Sequence, residues 1–256
     1  MTHFDRELYF DIVRGPLFGG SMTQGQINGQ EAILTRWETA PLSDDLRHLA
    51  YSLATTKHET ANEMLPIEEY GKGAGQPYGV KDSETQQTYY GRGYVQLTWR
   101  DNYAFASEQL YLIDEDNLEW HAEKALDYKI AADVLLVGMY EGWFRPPNSL
   151  PRFFDEDSDD AFGAREIVNG DKHIVPSWSG GKSIGTLIAE YHEDFLIALR
   201  TSSEIQKPSF KYGTEIFVEE DLFRGNVIGY YMTREGKKGI VLQQENTLVI
   251  HTYGAK

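Results

Sequence analysis

The chain has no cysteine among its 256 residues, which removes disulfide frameworks, thiol nucleophiles and cysteine-ligated zinc at once. No apolar run approaches the roughly 20 residues needed to span a bilayer, so membrane insertion is not expected. The opening residues, Met1-Thr2-His3-Phe4-Asp5, lack the basic and then apolar segments of a secretory signal, and synthesis in the cytoplasm is the expectation. Basic side chains are scarce too. There are 24 of them against 40 acidic ones, and the formal charge of −16 argues against a nucleic-acid binder that works by neutralising phosphates. What is present is an apolar fraction of 41%, enough to bury a real core in a chain of this length.

Charge divides the chain unevenly. Residues 207–256 hold seven basic and six acidic side chains, whereas residues 1–206 hold 17 and 34. Patterning changes at the same place, which predicts a helical unit over 1–200, a linker over 201–210 and a small, SH3-like β-barrel over 211–256. In the helical unit, Leu46, Leu49, Ala50 and Leu53 recur at helical spacing behind Ser43, a predicted N-cap, and this helix should end near Thr60. Leu126, Ile130, Val134 and Val137 form a second stripe; Ile184, Leu187, Ile188, Tyr191, Phe195 and Leu199 form a third behind Ser183. A shorter helix should end at Gly170. Residues 71–93 carry six glycines and read as a long functional loop. In the tail, 215–218, 227–232, 239–243 and 247–253 read as strands, with a turn at 235–239. The acidic stretch 155–160 reads as a solvated loop.

Three chemical motifs fail on inspection. His58-Glu59 would need a second histidine four residues after the first to bind zinc as metalloprotease helices do, and that position is Asn62. Gly181-Lys182-Ser183 resembles the end of a phosphate loop, but the opening glycine falls on Pro176. A Ser/His/Asp triad has no spacing to support it among seven scattered histidines. No metal or cofactor is expected.

The carboxylates say more. Glu59 closes the first predicted helix and projects about 130° from its apolar stripe at 100° per residue, and Glu68 and Glu69 follow just before the glycine-rich loop. Hydrolysis of a glycosidic bond needs such a pair, one carboxyl protonated and one ionised. The segment Tyr89-Tyr90-Gly91-Arg92-Gly93-Tyr94-Val95-Gln96-Leu97-Thr98-Trp99-Arg100-Asp101-Asn102-Tyr103 then packs aromatic faces beside amides and hydroxyls, the side chains that bind sugars.

That segment, with Lys57-His58-Glu59-Thr60 upstream and Ile167-Val168-Asn169-Gly170 downstream, resembles family 19 glycoside hydrolases: plant-type chitinases and related bacterial and bacteriophage cell-wall lysins. The likeness covers about residues 40–200, and the opening, with Phe18-Gly19-Gly20 and residues 24–37, looks like the lysin branch. It implies a mainly α, lysozyme-like, two-lobed helical catalytic domain. Position by position, it makes Glu59 the general acid and Glu68, or failing that Glu69, the second carboxylate. Gln96, Thr98, Asn102 and Asn169 match sugar-binding positions, with His58, Tyr90 and Trp99 beside them; Tyr90 with Gly91 and Arg92 also reads as scaffold. Ala61-Asn62 stands where plant enzymes have paired glycines, and the plant cysteines are absent. The implied activity is an endolysin-type glycosidase acting on the β-1,4 bonds of peptidoglycan strands at the bacterial wall. Chitin is the rival substrate, and a silent glycan-binding or virion structural protein is a third reading. A monomer is expected.

Overall fold

The computed structural model describes residues 2–204 and, beyond them, the backbone of strands at 215–218, 223–232, 238–244 and 247–253. The chain divides into two compact units, Met1–Arg200 and Thr201–Lys256.

The first unit is helical. Helix α1 (Arg6–Phe18) starts on Asp5, whose carboxylate accepts from Leu8 N at 3.1 Å, and stops at Gly19 in the left-handed conformation. Helix α2 (Gln24–Thr39) opens with a reciprocal cap between Thr23 and Gln26. Helix α3 (Leu46–Glu59) is buried from His48 to Lys57, so its solvent-facing chemistry is confined to its C-terminal end. Its N-cap is Asp45, not Ser43: Asp45 Oδ1 accepts from Arg47 N at 2.9 Å, while the Ser43 hydroxyl pairs with His48 Nδ1. Helix α4 spans Arg100–Gln109, α5 Tyr128–Glu141, α6 Leu150–Phe153 and α7 Ile184–Glu204. Helix α5 is capped by Asp127 and supplies Ile130, Val134, Leu135 and Met139 to the core, where α2 and α3 pack on it. Arg36 of α2 is ion-paired to Asp133 of α5.

Two features of this unit set the position of the end of α3. The turn after it carries left-handed backbone at Ala61 (φ 49°), Asn62 (φ 74°) and Met64 (φ 54°), which is where glycine would fit most easily. That turn lies against α2 at Gly29, where an added Cβ would fall 1.6 Å from Met64 O, and Gln26 Nε2 donates to Asn62 O at 2.9 Å. Glu59 is thereby fixed to the body of the domain.

Several expectations shift. The short helix ending at Gly170 is a 3₁₀ turn, Gly163–Ile167, and the Arg145 guanidinium lies close over Gly170, whose backbone is not left-handed. Loop 71–93 contains a 3₁₀ turn, Pro77–Gly79, and closes as a two-stranded ladder in which β1 (Ile67–Glu68) runs antiparallel to β2 (Arg92–Gly93). Acidic residues 155–160 are solvated, but Arg47 pins their backbone through Asp155 O (2.8 Å) and Ser158 O (3.0 Å).

In the second unit, β3 (Glu215–Val218), β4 (Phe223–Met232), β5 (Lys238–Gln244) and β6 (Thr247–Tyr253) form an antiparallel sheet in sequential order, with a register shift in β4 between Val227 and Gly229. Residues 201–204, expected as linker, are the last turn of α7; the rest of that segment lies outside the described residues.

Candidate active site

Glu59 sits at the last position of α3, half-buried, and its carboxylate accepts from Arg165 Nη1. Arg165 comes from the 3₁₀ turn and is only 2% exposed, so its charge must be met inside the protein. It is. Arg165 Nε and Nη2 donate to the two carboxylate oxygens of Asp171 at 2.6 and 2.9 Å, a bidentate pair, while the third nitrogen serves Glu59. Burial pushes the Asp171 carboxyl up, but the Arg165 hydrogen bonds and charge outweigh it and hold Asp171 below its ordinary range. His58 is held below its usual value by burial and then by the Arg165 charge, which favours a neutral ring beside Glu59. The Trp178 indole is tilted at 36° to that ring with 6.4 Å between centres, and is largely open to water.

Glu68 ends β1 and Glu69 begins the loop after it, and the two carboxylates have different partners. Glu68 Oε1 accepts from the Tyr90 hydroxyl at 2.5 Å and Oε2 pairs with Lys72 at 2.7 Å; Lys72 and then Tyr90 hold its carboxyl below the ordinary range. Glu69 is tied into the loop, accepting from Tyr78 OH at 3.3 Å and Gly91 N at 3.2 Å. Tyr90 is buried, with the Arg92 guanidinium 3.7 Å from its ring centre, so it orients Glu68 rather than presenting a face to a sugar.

Gln96, Thr98 and Asn102 come together on the wall of a cavity of about 150 Å³, with Val95, Leu97, Phe105, Trp143, Phe144 and Val168. Gln96 has a left-handed backbone (φ 56°), and its Nε2 donates to Ile67 O at 3.2 Å and Gly93 O at 3.3 Å, clamping β1 to β2. Asn102 Nδ2 caps Thr98 O at 2.7 Å. Their amide nitrogens are thus structural, while both carboxamide oxygens lack hydrogen-bond partners among the described residues. The cavity is linked to both carboxylates through its walls. Gln96 holds the residue preceding Glu68, and Val168 directly follows the turn that carries Arg165. Trp99 stands apart from this cavity, edge-on to Tyr78 at 5.1 Å and half-exposed. Asn169 is exposed; its backbone N–H donates to Arg165 O at 3.0 Å, which places it beside the ion-pair cluster.

Arg165, Asp171, Trp178 and Trp143 were not among the residues singled out in the sequence. Arg165 and Asp171 flank the Ile167-Val168-Asn169-Gly170 motif, so proximity to it was the available signal. Trp178 lies in a Gly/Ser-rich turn with no periodicity to mark it.

The first unit is a mainly helical domain with the fold of a chitinase. Chitinase C from Streptomyces griseus HUT6037 superposes with a TM-score of 0.50 over 78% of each chain at 18% identity, and a structure of a chitinase C mutant does so with a TM-score of 0.50 at 16% identity, again over 78% of each. In sequence, the chain is 37% identical to the acidic endochitinase SP2 of Beta vulgaris over 107 residues, 40% of this chain and 34% of that protein. It therefore spans about a third of the length of that curated relative. No family model matches the sequence.

Proposed function

We propose that the chain is a glycoside hydrolase that cleaves β-1,4 bonds in a polymer containing N-acetylglucosamine, with peptidoglycan at the bacterial wall as the substrate. The observation that supports this is that two carboxylates are held differently, Glu59 on the buried Arg165–Asp171 cluster and Glu68 on the β-ladder that Gln96 clamps, and that each cluster adjoins a residue lining the same small cavity, Val168 and Gln96. Glu59 protonates the leaving oxygen, and the carboxylate left behind stays paired to Arg165. Glu68, ionised, takes a proton from water as it attacks. Gln96 and Asn102 offer free carboxamide oxygens to sugar hydroxyls and amides, and Trp178 offers an apolar face. Glu69, tied into the loop, is the weaker choice for the base.

The reaction is inverting in this reading, with the two carboxyl groups about 6.5 to 9.5 Å apart and water between them. NMR of fresh product decides it: the α-anomer is expected, and a β-anomer or a 1,6-anhydro end overturns it. The second reading is chitin, favoured by the likeness to proteins named as chitinases. Parallel assays on purified sacculi and on chitin oligomers separate the two, and mass spectrometry of the fragments identifies the bond. Binding without turnover on either substrate would favour the silent binding protein.

A further inference from the structure

A second groove, about 600 Å³ in volume, runs along α4 and the segment after it, lined by Asp101, Phe105, Glu108, Tyr111, Ile113 and Glu119 among others. Phe105 lines both this groove and the cavity that holds Gln96 and Asn102, and its ring meets Trp143 edge-on at 5.5 Å. On α4, residues 102 and 105 face the cavity and residues 101, 105 and 108 face the groove, adjoining stripes of one helical surface. A linear polymer that passes Asn102 reaches Glu108 after about 9 Å, at 1.5 Å per residue.

The groove has surface that nothing in the first unit covers. Tyr111 is 89% exposed and Ile113 71% exposed, large apolar groups left open to water beside acids. Glu119 is held by Arg100 at 2.7 Å, but Asp101 and Glu108 have no ion pair among the described residues. Open aromatic faces next to unpaired carboxylates suit a ring that carries a cation.

We propose that this groove binds an unacetylated glucosamine unit of the same chain the cleft cleaves, its ring on Phe105 and Tyr111 and its ammonium on Asp101 and Glu108. The proposal rests on the glycosidase reading and names a substrate class within it: partly de-N-acetylated polymer. An acetamide is neutral and leaves both carboxylates unpaired, whereas the free amine is cationic near neutral pH, so charge rather than area discriminates between the two.

Calorimetry on the full chain carrying Glu59→Gln, which prevents cleavage, tests it with two hexamers: one fully acetylated and one with free amines on alternate units. Asp101→Asn and Glu108→Gln, both exposed positions, should each weaken the amine-bearing hexamer about two- to fivefold and leave the acetylated one nearly unchanged. The difference should vanish in 1 M salt, where the screening length is about 3 Å. Tyr111→Ala should weaken both. Equal losses for the two hexamers, or none, overturn the ammonium site, and a lysine tripeptide that binds with the same charge dependence overturns the sugar assignment. Hydrolysis of the acetylated hexamer by the unsubstituted protein tests the enzyme reading separately. Cleavage with no charge effect rejects the groove alone, and neither cleavage nor binding rejects both.

Discussion

Arg165 reaches the Glu59 carboxylate across 106 positions of sequence from a guanidinium that is 2% exposed. A buried cation of that kind holds its place only while its remaining donors are met, and Asp171 meets two of them. The placing of the Glu59 carboxylate therefore depends on Asp171, which does not touch it but holds the arginine that does.

Asp171→Asn should accordingly lower kcat about tenfold with KM little changed, because Arg165 is left free to swing while the sugar-binding wall is intact. Glu59→Gln keeps the shape and an acceptor for Arg165 but removes the donatable proton, and kcat should fall at least about 10²-fold. Steady-state kinetics on soluble oligomers measure both. A folded Glu59→Gln protein with near-normal turnover would sink the general-acid assignment.

The second carboxylate can be identified by pH. Glu68 must be ionised to act as a base, and Lys72 and Tyr90 stabilise its ionised form. Removing them with Lys72→Met or Tyr90→Phe raises its pKa, so the acidic limb of the kcat/KM profile should move to higher pH. Glu68→Gln should abolish that limb along with most of the activity, whereas Glu69→Gln should leave the limb in place and loosen the loop it ties. Equal, small losses from Glu68→Gln and Glu69→Gln would reject a two-carboxylate site here.

Trp178 is 66% exposed beside the His58 ring, and its open face is large enough for a sugar. Trp178→Ala should raise KM on oligomers about five- to tenfold with kcat within about twofold, a loss on the order of 1 kcal/mol in stacking. Trp178→Phe should recover most of it. An unchanged KM in the alanine variant would remove Trp178 from the binding surface.

Helices α3, α5 and α7 were legible because their large apolar residues recur with the 3.6-residue period, even though α3 and α5 are buried on almost every side, and Glu59 was legible as the last residue of one of them. The cap of α3 slipped two residues because Ser43, Asp44 and Asp45 are all competent caps; in the fold Asp45 takes the Arg47 N–H and the Ser43 hydroxyl pairs with His48 Nδ1. Arg165 has no periodic signature, since its partner Glu59 lies 106 positions away in α3, and only nearness to the Ile167-Val168-Asn169-Gly170 motif could have marked it or Asp171. The Ala61-Asn62 departure had a meaning that spacing could not give: both residues occupy left-handed backbone, where Asn is tolerated and Ala is strained. Likewise the split between Glu68 and Glu69 rests on a two-residue ladder, too short to leave any pattern.

The strand-rich unit gives a prediction of its own. We propose that residues 211–256 act as an accessory attachment module on insoluble wall. A chain ending after Glu204, where α7 ends, should hydrolyse short soluble oligomers at the full rate and lose activity on sacculi, because a lost second attachment lowers the effective concentration at the surface. Aggregation of the shortened chain, or an equal loss on both substrates, would assign the tail to packing instead.

Lys57 supplies a stability test beside the site. Its ammonium lies 4.8 Å from the ring centres of both Phe18 and Tyr191 and donates to Asn62 Oδ1, with no carboxylate partner among the described residues. Burial lowers its pKa to about 8, against about 10.4 in an unfolded chain. Between those two values the unfolded chain binds more protons than the folded one, so the Lys57 contribution to stability rises with pH through that window. Below it both states are protonated, and the folded protein carries the full cost of a buried charge, on the order of 2 to 3 kcal/mol less whatever the two rings return. Lys57→Met keeps the length and apolar stem without the charge. The variant should melt higher than the parent at pH 7.5, and the gap should narrow as pH is raised to 9.5. Buried tyrosines, whose hydroxyls resist ionisation in the fold, act with the opposite sign above about pH 10, but they are common to both proteins and cancel in the difference. A gap that stays constant with pH would show that the ammonium remains charged in the fold, held by Phe18, Tyr191 and Asn62 strongly enough to offset its burial.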